Sequence, residues 1–76
     1  MTKRDQQLKN VYDDFLDFLI KKVLQYEDTQ MIASTMIAQA LRLYKSTLTE
    51  QEYRDMIKSV LRTSKTIKPF VINTLH

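Results

Sequence analysis

The stretch MIASTMIAQALRLY, residues 31–44, carries a single charge, Arg42, in a chain of which 28% is charged. At 100° per residue Ile32, Ala33, Met36, Ile37, Ala40, Leu41, Leu43 and Tyr44 cover about half of a helix circumference. The opposite face holds Met31, Ser34, Thr35 and Ala38, all small or uncharged, before Arg42 and Lys45 appear. A water-facing helical face usually carries Glu and Lys, whereas small side chains let another backbone approach closely. The segment therefore reads as a central helix with its own core on one side and another chain on the other. The alternative is an exposed strip of Ser, Thr and Ala with no partner.

The rest of the chain fits around that helix. Glycine is absent and the one proline is Pro69. Tight hairpin turns favour Gly at positive φ, so a β-rich fold is unfavourable, and nothing interrupts helices before residue 69. The expectation is an all-α, three-helix bundle with helices at about 5–26, 29–46 and 50–64, an extended apolar C-terminal tail, and one small domain over 1–76.

On the first helix Leu8, Val11, Tyr12, Phe15, Phe18, Leu19, Val23 and Tyr26 form one apolar stripe, read as the core face. Leu16, Ile20 and Leu24 form a ridge at i, i+4, i+8 on its flank, read either as covered by the third helix or as a subunit contact. Lys22 falls inside the stripe, where it is expected to lay its stem on apolar surface or to meet an acidic partner at an interface. Asp28 or Thr29 can cap the second helix. The third begins with a capping box, Thr49 to Glu52, flanked by Leu48 and Tyr53 at the positions of a hydrophobic staple.

Beyond Ser64 the run TSKTIKPFVINTLH is too apolar for a simple disordered end. Phe70, Ile72 and Leu75 are expected to be buried, in the chain's own bundle or against a neighbouring subunit.

Composition narrows the chemistry. The chain has 76 residues, net charge +3, no Cys, and one His, the final residue His76. A domain of this size buries only about 63% of its unfolded surface and is marginal alone, and with no disulfide or zinc site available, oligomerisation is the remaining common staple. Zero Gly excludes the P-loop, the dinucleotide fingerprint and the EF-hand. A Ser-His or Cys-His arrangement would rest on His76, with nothing downstream to orient its ring. Asp13, Asp14 and Asp17 lie close on one helix, but divalent cations want more oxygen ligands than these supply, so the triplet reads as a solvated face with Asp17 paired to Lys21. The reading is of a protein that is not an enzyme and takes no cofactor or metal. No apolar run reaches the length of a membrane span and the N-terminus lacks a signal-peptide core, which points to a cytoplasmic protein.

Charge is uneven. Residues 56–76 contain Lys58, Arg62, Lys65 and Lys68 and no acid. Arg54, Lys58, Arg62 and Lys65 form a ribbon within about 80° of the third helix, a candidate anion-binding surface. The competing reading is a solvated charge row in which Glu50 pairs with Arg54 and Asp55 with Lys58.

The run STMIAQALRLYKSTLTEQEYRDMIKSV, residues 34–60, resembles a segment of small uncharacterised helical proteins of tailed bacteriophages. The resemblance carries no active-site residue. It implies a phage product in the bacterial host cytosol, where such proteins bind and redirect host factors or sequester a defence signal. Two functions follow as expectations. The leading one is a homo-oligomer, most simply a dimer, that contacts its own copy and a host protein through Leu16, Ile20, Leu24, Met31, Ser34, Thr35 and Ala38. The alternative is a binder of nucleic acid or a nucleotide through the basic ribbon, which has only one aromatic residue, Tyr53, at its start to stack on a base.

Overall fold

The computed structural model describes residues 2–70. The protein is all-α, with three helices and, among the described residues, no strand. The helices are α1 (Lys3–Tyr26), α2 (Thr29–Thr47) and α3 (Glu50–Thr63), and α3 runs on into a short 3₁₀ turn, Ser64–Thr66. The chain divides into two compact units, Met1–Ala33 and Ser34–His76.

In the first unit α1 starts two residues before the expected Asp5. Thr2 is the cause: its hydroxyl accepts from the Asp5 amide at 3.1 Å, and the Asp5 carboxylate accepts from the Thr2 amide at 3.3 Å. This reciprocal box satisfies two of the amides that a helix start leaves without intrahelical partners. The helix stops at Glu27, which adopts φ 57° and ψ 14° and donates its amide to the Val23 carbonyl at 3.1 Å. A left-handed residue at this point is the usual way to end a helix, and Gly the usual residue. With no Gly in the chain, Glu27 carries the strain of a Cβ in that conformation. Asp28 then caps α2 by accepting from the Met31 amide at 3.0 Å, and its own carbonyl accepts from the Ile32 amide.

Burial in this unit differs from the sequence expectation. Among the described residues of the chain Val23 alone is buried, 6% exposed, and Leu16, Leu19, Ile20, Lys22 and Ile32 are half-buried. The expected core stripe is open over most of its length: Leu8, Val11, Tyr12, Phe15, Phe18 and Tyr26 are all more than half exposed. By helical geometry the enclosed side, Leu16–Val23–Ile20, is rotated by roughly 100° from the centre of the stripe. The two arcs adjoin and together cover more than half of α1, more than a single neighbouring element can enclose.

In the second unit the Thr49–Glu52 box forms as expected. The Thr49 hydroxyl accepts from the Glu52 amide at 3.2 Å and the Glu52 carboxylate from the Thr49 amide at 2.8 Å. Leu48 and Tyr53, the staple pair, are half-buried, as are Leu41, Met56 and Ile57. Near the end of α3 the hydroxyls of Thr63 and Ser64 turn back onto the carbonyls of Ser59 and Leu61, at 3.1 and 2.7 Å. Ile67 is extended, φ −71° and ψ 130°. That conformation is compatible with the Lys68–Pro69 step that follows.

Candidate interaction surface

Two kinds of surface stand out, an apolar one on α1 and α2 and a basic one on α3. On α1 the largest exposed side chains are aromatic, with Phe15 63% and Phe18 59% exposed. Lys22 lies among them, its Nζ 5.2 Å from the Phe18 ring centre and 5.7 Å from that of Tyr26. Its stem therefore runs over apolar surface, as a long cationic side chain in an apolar stripe is expected to do, and the ammonium gains from both ring faces. The acidic side of α1 is largely paired within the helix. Asp13 accepts from Lys9 at 2.7 Å, and Asp17 from Lys21 at 2.9 Å. The Lys9 pKa is raised, first by that hydrogen bond to Asp13 and then by its charge. Asp14, beside the aromatic stripe, has no ion-pair partner among the described residues.

Of the ridge read as a subunit contact, Leu16 and Ile20 are half-buried within the chain and Leu24 is 60% exposed. The open apolar arc of α1 thus centres on Phe15 and Phe18. Which of two adjacent apolar arcs stays open has no signature in the local sequence, because both have helical spacing. On α2, Met31, Ser34, Thr35 and Ala38 are exposed, and so are Ile37 and Leu43 on the face read as core.

The ribbon on α3 is exposed throughout. Arg54 is engaged along its own helix, donating to Glu50 at 3.1 Å and to Gln51 at 3.2 Å. Asp55 accepts from Gln51 at 2.9 Å. The Asp55–Lys58 pair is not formed, and Lys58, Arg62 and Lys65 have no ion-pair partner among the described residues. Among the described residues no aromatic ring lies against these three cations, whereas Lys45 sits 5.0 Å over the Tyr53 ring at the other end of α3. A shallow hollow of about 220 Å³ lies there, lined by Lys45, Leu48, Thr49, Glu50 and Tyr53.

Phe70 is 48% exposed, and Ile72 and Leu75 lie outside the described residues. Among the described residues no three His, Cys, Asp or Glu side chains converge as metal ligands, and no helix is long and apolar enough to cross a membrane.

No family model, curated protein or solved structure matches the chain.

Proposed function

We propose that this chain is a non-enzymatic helical interaction protein, a homo-oligomer that works by binding, with a bacteriophage product that modulates a host protein as its biological setting. The supporting observation is the open apolar arc of α1. Six large apolar side chains, four of them aromatic, stand in water on one side of one helix while a single residue of the described chain is buried. Contiguous apolar surface of this kind marks contact sites, and aromatic side chains dominate the energetics of such contacts. Ser34, Thr35 and Ala38 on α2, small and uncharged, offer a second surface for the host partner, and Met31 and Leu24 are further exposed apolar side chains. Native mass spectrometry of the purified protein is expected to give a dimer mass. Phe15→Glu, which places a charge on the exposed arc without touching Val23, is expected to return the monomer. A monomer at every concentration sinks the reading.

A second reading is favoured by the unpaired cations Lys58, Arg62 and Lys65, with Arg54 beside them. Binding of nucleic acid or a nucleotide there would weaken with salt, with a logarithmic slope of about −0.7 per phosphate for single strands and about −0.9 for duplex. Sub-micromolar binding at physiological salt that Lys58→Ala and Arg62→Ala together abolish would put this reading first.

A further inference from the structure

We infer that α1 pairs with α1 of a second copy in antiparallel orientation; the pairing presupposes the self-association proposed above. Leu8, Val11, Phe15, Phe18, Lys22 and Gln25 follow one another at alternating steps of three and four residues, the spacing of a coiled-coil seam. The first four are exposed, as is Gln25, and Lys22 is half-buried against its own rings. Tyr12, Leu19 and Tyr26 flank the seam on one side; Gln7, Asp14 and Lys21 flank it on the other.

Charge decides the orientation. When Phe15 of one copy meets Phe18 of the other head to tail, the two-fold axis falls between Leu16 and Asp17. Leu8 then lies opposite Gln25, and Val11 opposite Lys22, whose aliphatic stem suits an apolar neighbour. On the flank, Asp14 faces Lys21 of the second copy, and symmetry makes this contact twice. Asp14 is the acid beside the seam that has no ion-pair partner among the described residues, and Lys21 is an exposed cation paired with Asp17. On the other flank Tyr12 meets Leu19. A parallel pair instead sets Lys22 against Lys22 in the seam and brings Asp14 to Leu19 and Lys21 to Tyr26, with two like charges opposed and no ion pair formed. The four rings of each copy are more than half exposed. Covering them on both copies removes up to on the order of 1,000 Å² from water, the lower bound for a specific interface.

Because the chain has no Cys, a single introduced thiol reports position cleanly. Gln6→Cys and Asp17→Cys, both on the outer face of α1, are to be spin-labelled and their intermolecular distances measured by pulsed dipolar spectroscopy. In the antiparallel register the two copies of residue 6 are displaced along the axis by roughly 32 Å, and those of residue 17 by roughly 2 Å. The distance at residue 6 should therefore exceed that at residue 17 by more than about 10 Å. A charge swap gives an independent readout in sedimentation equilibrium. Asp14→Lys and Lys21→Asp are each expected to weaken dimerisation about tenfold, and the double variant to recover most of it. Equal distances at the two labels would overturn the antiparallel pairing while leaving self-association intact. A dimer indifferent to Phe15→Glu and to both reversals would do the same, and would move the contact to α2 or to a different face of α1. A chain monomeric throughout, with no dipolar coupling at either label, would remove the inference and the self-association reading together.

Discussion

At the scale of single residues the most informative position is Glu27, a residue with a Cβ in the left-handed conformation that ends α1. That conformation costs an ordinary residue roughly 1–2 kcal/mol, part of which Gly would return as lost freedom in the unfolded chain. Glu27→Gly is expected to stabilise the protein by about 0.5–1 kcal/mol in urea unfolding, with an unchanged m-value. Glu52 offers a different test. The Thr49 amide that donates to it, and then the Thr49 hydroxyl, hold its pKa below the ordinary value. A lowered carboxylate pKa contributes stability that is present above the unfolded pKa and is lost as pH falls through the folded one. The Glu52 carboxyl carbon, followed by NMR, should therefore titrate below a free Glu, and protection of the Thr49 amide should fade over the same pH range. Coincidence with the free value would remove the carboxylate from the box.

Among the elements, α3 is set locally. Thr49→Ala removes the acceptor for the Glu52 amide and is expected to cost about 0.5–2 kcal/mol, with the loss of amide protection concentrated in the first turn. Thr2→Ala should have the smaller effect on global stability, because a frayed first turn of α1 exposes only residues that are already in water. The ion pairs Lys9–Asp13, Asp17–Lys21 and Glu50–Arg54 are all solvent-exposed. Pairs of this kind contribute little individually. The packing of α1 hinges on Val23 instead. In the Phe15→Glu background, where the α1 pair is broken, Val23→Ala is expected to lower stability by more than Val11→Ala, although both remove the same atoms, because Val11 of the single chain is already half in water. Equal effects in that background would mean that Val11 is enclosed within the single chain.

For the molecule as a whole, one buried side chain among residues 2–70 is a sparse core for a chain of this length. Small folds without disulfide or metal gain stability by association, and association makes unfolding concentration-dependent. The midpoint of thermal unfolding is therefore expected to rise with protein concentration between about 1 and 100 μM, and Phe15→Glu should abolish that rise. A midpoint independent of concentration in the unsubstituted chain would show that the exposed rings are not covered by a second copy under these conditions.

The order and approximate ends of the helices were legible in the sequence because the signals are local. A cap joins residues three apart, and a helix is closed by hydrogen bonds four apart. The Thr49–Glu52 box and the Glu50–Arg54 and Asp17–Lys21 pairs all fall within that range. The Thr2–Asp5 box was equally local, present as TKRD, and it moves the start of α1 from residue 5 to residue 3. What the sequence by itself did not decide correctly was how much of the apolar surface of α1 is enclosed: of the stripe read as the core face, Val23 is buried and Leu19 half-buried, while the other six side chains stand open. Phe15, Phe18 and Val11 on one arc, and Leu16, Ile20 and Val23 on the next, are comparably apolar and share the same helical spacing, so transfer free energy does not separate them. Only the tertiary structure decided it. Val23 is enclosed and the phenylalanines stand open, because burial depends on which other segments reach a surface, and that is a property of the folded chain rather than of any window within it.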